Sequence, residues 1–472
     1  MPSLPDSGDG RRSGFRQIAE AFLSQPGLPF TRLLSAERIE RVFAEHGNLF
    51  GGAVYSTAMM VWSFLGQVLR DGKEASCQAA VARVVAHQQL IGGAIPTADT
   101  GDYCRARAKL SEAALHALTV EVGAQAEQEA KPDWLWKNLH AKLVDGFTFT
   151  MPDTPANQAA YPQPNSQKPG LGFPMARACE ILSLATGCGL DLAIGPYSGK
   201  ETGETALLRG LLGSFSEGDL LVADRYYCSF LMIALLLQRQ VDVCVRLHQR
   251  RRADFRRGRR LGPDDHLIMW TKPPRPEWMD EETYAAIPET LTLREIRYRI
   301  VVPGRRVQLL TVVTTLLDAE VYSRQDIAEL YRFRWNSELD IRSIKQTLNL
   351  SHVRCKSPEM VRRELWATLL AYNLVRTTAA AAAALHDKRP RQISFTGACQ
   401  YVLASWSTIT REGGGADEAL RRCQTMLEQI AQCEVANRPG RIEPRELKRR
   451  RHGYKLMEEP RATLRARLAE HN

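Results

Sequence analysis

The chain has 472 residues, 44% of them hydrophobic and 25% charged, enough apolar material for two or three cores at roughly 150 residues per domain. Its longest uninterrupted apolar run, Phe230 to Leu237, is far short of the roughly 18 to 20 residues of a membrane span, and the opening MPSLPDSGDGRRSG has no apolar signal core; a cytoplasmic protein with no membrane partner is expected. The 63 Lys and Arg against 53 Asp and Glu leave a net charge of +10, and the ten cysteines contain no C-x-x-C pair, which fits neither a disulfide framework nor a zinc site.

After a polar leader to about Arg12, residues 15–130 read as helices: 36–46, capped by Ser35 and Gly47, then 56–70, 74–88, 100–110 and 112–129. The fourth carries Arg105, Arg107 and Lys109 and reads either as the groove-entering helix of a helix-turn-helix-like unit or as a short basic surface helix. From His140 the texture changes. Segments 142–145, 147–151, 178–184 and 190–194 read as strands, followed by a helix over 204–213. The run Leu220-Leu221-Val222-Ala223 reads as a strand buried on both faces, before a helix over 229–239 and a strand over 241–247.

Residues 246–260 hold eight arginines, Arg250, Arg251 and Arg252 among them, against Asp254 alone, and 437–472 hold eleven basic and five acidic residues. Two such clusters suit a polyanion, because each neutralised phosphate releases a condensed counterion. Between about 250 and 317, alternating segments at 266–270, 290–302 and 307–315 predict an antiparallel insertion. Helices resume at 325–348 and 358–385.

Two aspartates stand out. Asp145 shares strand parity with Leu143, Phe147 and Phe149, so its carboxylate lies at an apolar face. Asp224 ends the LLVA strand, where open α/β sheets bind ligands; a strand-ending turn or an N-cap is the plain alternative for each. On a helix at 100° per residue, Tyr331, Arg334, Trp335, Glu338, Arg342 and Lys345 fall within an arc of about 100°, and Leu330, Phe333, Ile341, Ile344 and Leu348 within another of about 80°. The first arc reads as an acid flanked by cations, suited to metal-bound phosphate chemistry, or as a solvated ion-pair face. The second reads as the face that packs on a sheet.

Tyr331, two residues, Arg334, three residues, Glu338, six residues, Lys345 resembles the Y-R-E-K signature of bacterial insertion-sequence transposases of the cut-and-paste DDE type. Asp145-Gly146 and Asp224-Arg225-Tyr226-Tyr227 look like that family's two aspartate tracts, and the likeness covers about 140–350 closely. It implies an α/β fold: a ribonuclease-H-like catalytic core over 136–249 and 318–390, a β-rich insertion over 250–317, a helical DNA-binding region over 1–135 and a helical basic region over 391–472. It also implies that Asp145, Asp224 and Glu338 are catalytic ligands of two Mg²⁺ ions, for which Mn²⁺ would substitute. Asp153 competes with Asp145 for the first place and is less well set on the strand. Arg334, Lys345 and Tyr331, with Arg342, Trp335 and Arg225, would hold DNA, and an insertion aromatic, Trp270 or Trp278, would stack on an extruded base, though ordinary packing suits either ring. The expected partner is double-stranded DNA, transposon ends and target, gripped by a homodimer near the nucleoid. A ribonuclease-H-like nuclease without strand transfer and a transposase-derived DNA-binding regulator are the rival readings.

Overall fold

A computed structural model of the chain describes residues 33–90, 92–300, 308–409, 416–436 and 457–470. The polar leader and the basic run 448–451 lie outside the described residues. The expected N-terminal helices form: α1 (Ala36–His46), α2 (Thr57–Val68), α3 (Cys77–Leu90), α4 (Gly101–Ala108) and α5 (Glu112–Gln128). Ser35 Oγ accepts the Arg38 amide at 3.1 Å, and Ser56 and Ser111 cap α2 and α5 in the same way, each satisfying an amide that the first turn leaves without a partner. The groove-entering reading of α4 does not hold for Arg107. Its guanidinium turns inward, donating to Gln67 Oε1 at 2.9 Å and lying over the Phe64 and Tyr103 rings, so packing takes the side chain away from solvent.

β1 (Ala141–Thr150) runs unbroken through Gly146, where the sequence indicated two segments. β2 (Met175–Ser183) and β3 (Gly189–Pro196) continue antiparallel on one side of it, after the short α6 (Pro155–Ala160). On its other side β1 is parallel to β4 (Leu220–Ala223), and β4 to β5 (Asp242–Arg246). The crossovers carry α7 (Glu204–Gly210) and α8 (Phe230–Leu237). All four residues of β4 are buried, as a central strand covered on both faces requires. Leu143, Phe147 and Phe149 face one core, and Val144, Leu221 and Ala223 face the other, beneath α8.

The insertion is antiparallel as expected: β6 (Arg259–Gly262), β7 (Asp265–Thr271), α9 (Glu281–Ala286), β8 (Thr290–Ile300) and β9 (Gln308–Thr314). It also continues the core, because β9 pairs antiparallel with β5. The result is one nine-stranded sheet in the order β3-β2-β1-β4-β5-β9-β8-β7-β6.

The helix expected over 325–348 is broken in two, α10 (Arg324–Arg332) and α11 (Trp335–Arg342), followed by a π-helical turn, Ser343–Thr347. At the break the Arg334 and Ser337 amides reach carbonyls three residues back, Tyr331 and Arg334, at 3.2 and 3.0 Å. That tightens one turn before the π turn loosens the next. The long α12 (Pro358–Leu385), buried along most of its length, packs against α2 and α5 and against α13 (Phe395–Ile409) and α14 (Ala416–Gln432); α15 (Arg461–Glu470) follows. All ten cysteines are free. No described helix is long and apolar enough to cross a membrane.

Candidate active site

Three separate elements deliver the three acids to one cavity of about 590 Å³. Asp145 comes from mid-β1, Asp224 from the carboxyl end of β4 and Glu338 from α11. Tyr331, Arg334, Lys345 and Arg225 line the same cavity. The kinked helix therefore keeps one stripe facing inward at spacings of three and four residues, and Ile341, expected on the packing face, joins it.

Asp145 is held on three sides. Its Oδ1 accepts the Gly146 amide at 2.9 Å, and its Oδ2 accepts Ser337 Oγ at 2.8 Å and lies 3.6 Å from Arg334 Nη1. Burial nevertheless raises its pKa above the usual carboxylate value, with the charge of Asp224 adding to the rise and Ser337, the Gly146 amide and Arg334 opposing it. Asp224 takes the capping role that its place at the strand end allows. Its Oδ1 accepts the Tyr226 amide at 2.7 Å, capping a short turn, and it still faces the cavity. Glu338 Oε1 accepts Arg334 Nη2 at 2.8 Å. The ion pair expected four residues apart thus forms, with its acid exposed and its base not: the Arg334 side chain is 13% exposed, against 42% for Glu338, and it bridges Glu338 to Asp145. Burial works against the charged guanidinium, but the Glu338 hydrogen bond, Tyr331 and Asp145 outweigh it and raise its pKa. Burial raises the Tyr331 hydroxyl pKa and lowers that of Lys345.

The remaining expectations divide. Asp153 is exposed, accepts Gln158 Nε2 at 2.8 Å and does not line the cavity. Arg342 is exposed and does not line the cavity, whereas Lys345, within the π turn, does. Trp335 is 56% exposed, its ring beneath the Arg334 guanidinium. Trp270 is corrected: only 5% exposed, it donates its indole N–H to Glu295 Oε1 at 3.2 Å and is covered by Arg251. Insertion into the continuous sheet buries this ring, leaving it no face for a base. Trp278, 36% exposed, lies against Arg209. Arg250, Arg251 and Arg252 are exposed after β5.

Sequence reasoning missed three residues. Arg246, the last residue of β5, and Glu204, the first of α7, also line the cavity. Fully buried Ser337 orients Asp145. Ser337 could have been found beside Glu338 in the signature, and Arg246 at the end of a central parallel strand. Glu204 gave no signal, since an acid in a first helical turn is ordinary.

Residues 140–374 match the family model described as a transposase DDE domain. The chain is 28% identical over 437 residues to the transposase InsG for insertion sequence element IS4 of Escherichia coli K12, covering 90% of this chain and 93% of the relative. The chain belongs to the DDE-type transposases of insertion sequences. Over a shorter stretch of 98 residues it is 35% identical to the transposase for insertion sequence element IS421 of Escherichia coli and to the putative transposase InsL for IS186A. Those matches cover 19% of this chain and 25% of each relative. As a DNA transposase it is an enzyme of DNA cleavage and transfer, and the cavity on its matched domain holds the acids.

Proposed function

We propose that this transposase binds the terminal inverted repeats of its element, cleaves the ends and joins the 3′ ends to target DNA, with Asp145, Asp224 and Glu338 holding divalent metal. The observation that carries the reading is the convergence of these acids, from β1, β4 and α11, on one cavity that Arg225, Arg246, Arg334 and Lys345 also line. The order β3-β2-β1-β4-β5, antiparallel then parallel about β1, supports reading residues 136–249 and 318–390 as a ribonuclease-H-like core. The β-rich insertion would occupy 250–317 and the helical regions would flank the core at 1–135 and 391–472.

The donor set suits a hard cation such as Mg²⁺, with Mn²⁺ as substitute, since all its ligating atoms are carboxylate oxygens. As placed, no three acids among the described residues stand close enough to enclose an ion, and two of the three are bridged by Arg334. That guanidinium occupies the electrostatic role a cation would take. When bound, two divalent ions supply Lewis acidity toward the attacking and leaving oxygens of an in-line displacement. Ser337 keeps the Asp145 carboxylate aimed at the cavity. Arg334, paired with Glu338 in this structure, would offer its fork to a DNA phosphate wherever Glu338 served a metal instead, with Arg225, Arg246 and Lys345 completing the cationic wall. Tyr331 presents its neutral hydroxyl to the scissile end. A homodimer would hold paired ends, and Arg250, Arg251 and Arg252 would add phosphate contacts.

Asp145→Ala, Asp224→Ala and Glu338→Ala should each abolish end cleavage with Mg²⁺ while end binding persists, because one missing ligand removes geometry that both ions need. Near wild-type cutting by any one variant removes that residue from the ligand set. Pre-cleaved ends incubated with target DNA separate transposase from simple nuclease, since only the former joins them.

A further inference from the structure

The arginine-rich run after β5 is fastened to one face of β7 and β8. On that face Trp270, Glu295 and His266 form a buried row: Glu295 accepts the Trp270 indole N–H at 3.2 Å and faces His266 Nε2 at 3.1 Å, with His266 1% and Glu295 5% exposed. The other ring nitrogen of His266, Nδ1, meets the Arg257 carbonyl at 2.7 Å. Phe255 stacks on His266 with ring centres 4.5 Å apart, and the Arg297 guanidinium lies 4.4 Å from the centre of the same Phe255 ring. Arg297 also donates to the Ala253 carbonyl at 3.2 Å, and the Arg251 guanidinium lies 3.8 Å from the centre of the Trp270 ring. Gly258 ends the run at positive φ, so near the Leu267 carbonyl that no Cβ fits.

This docking gathers like charges. Arg250, Arg251, Arg252, Arg256 and Arg257 all stay exposed, and Asp254, the single acid in residues 246–260, is already engaged by Arg256 at 2.8 Å. Holding a backbone so that its cations crowd together in water is unfavourable by itself, and it suits a partner that carries a row of negative charges. The loop also adjoins the acid cavity, because Arg225, on the cavity wall, donates to Gln249 at 3.1 Å. We propose that Phe255 and His266 are positioning residues for DNA: they seat the loop on β7 and β8 so that its arginines grip the phosphate backbone of the same duplex whose end enters the acid cavity. The inference rests on the reading of Arg250, Arg251 and Arg252 as phosphate contacts and deepens it by giving the insertion strands their part. A loop seated beforehand leaves less chain to be ordered when DNA binds, so affinity depends on a ring that itself meets no phosphate.

The test is binding of the full chain to a labelled duplex that carries the element's terminal inverted repeat, read by fluorescence anisotropy at fixed salt. Phe255→Ala removes no charge, yet should weaken binding about tenfold by leaving the loop to be ordered on the DNA. Phe255→Tyr, which keeps the ring, should stay within twofold of wild type, and His266→Gln, with one amide in place of two ring nitrogens, should weaken binding in the same direction as Phe255→Ala. With Arg250, Arg251 and Arg252 all changed to Ala, Phe255→Ala should add less than twofold, since cations that it positions are gone. Two results sink the inference alone while the triple Arg variant still weakens binding: Phe255→Ala within twofold of wild type, so that the loop needs no seat, or an equal loss in both backgrounds, so that Phe255 acts elsewhere. If the triple variant itself binds within twofold of wild type, the phosphate reading of these arginines falls and takes this one with it. Circular dichroism melting of each variant keeps loss of fold distinct from loss of the seat.

Discussion

Arg334 is the residue on which the site's charge balance turns. Its two terminal nitrogens reach Asp145 and Glu338, and in the proposed function the same nitrogens would meet a DNA phosphate. Arg334→Ala should lower end cleavage at least tenfold, about 1.4 kcal/mol of transition-state stabilisation. Arg334→Lys should restore it only in part, because an ammonium cannot engage two oxygens in a fork. Leu330, Ile344 and Leu348 beneath the kink are untouched and fully packed, so the Ala variant should still unfold cooperatively, within roughly 1 to 2 kcal/mol of wild type. Normal cleavage by Arg334→Ala, or activity lost in step with the fold, would make the contact structural only.

Glu180 shows what an acid does when nothing answers it. It lies opposite Asp145 in the β1–β2 register, fully buried, and neither carboxyl oxygen has a hydrogen-bond partner. Burial, then the charges of Asp340 and Asp145, push its pKa well above the carboxylate range. The folded chain therefore keeps a proton that the unfolded chain gives up above about pH 4.3, so this residue costs stability progressively as pH rises from that value toward its raised folded pKa. Glu180→Gln should melt close to wild type near pH 4 and increasingly above it toward pH 8. A melting difference that stays flat across that range would mean that Glu180 is not carried neutral.

At the scale of elements, α11 is aimed by a buried knot. Asp340, 1% exposed at its side chain, accepts Arg376 of α12 at 2.5 Å and Arg391 at 2.8 Å. This fixes the helix that carries Glu338 two residues earlier. Asp340→Ala strands two cations and should cost about 3 to 5 kcal/mol, read by chemical denaturation; a loss under about 1 kcal/mol would show that packing alone sets the helix. The elements also explain what the sequence could tell. LLVA with its terminal Asp224 was legible because a fully apolar run has few other uses, and the Tyr331–Lys345 spacing survived the kink because the tight turn and the loose turn nearly cancel. The inward turn of Arg107 was not legible, and Trp270 stayed open between stacking and packing, because inward or outward placement of an amphipathic side chain depends on what later packs beside it. Glu204 was invisible because only the packing of α7 on β2 and β3 brings its first residue over Gly146.

At the scale of the whole molecule, the exposed Arg250, Arg251 and Arg252 lie outside the acid cavity, and the phosphate contacts proposed for them would add affinity without chemistry. Changing all three to Ala should make the slope of log K against log salt shallower by about 0.9 for each phosphate no longer neutralised, with cleavage at saturating protein unchanged. An unchanged slope would mean that these charges serve solubility alone. The β5–β9 pairing bears on how such a protein can change over evolutionary time. Because the insertion closes the sheet beside the core, cutting it out would turn β5 into an open edge, with Cys244, Val245 and Arg246 presenting unpaired backbone to any passing strand. The insertion is therefore no detachable accessory of this chain: its last strand covers an edge of the core that would otherwise be open to self-association.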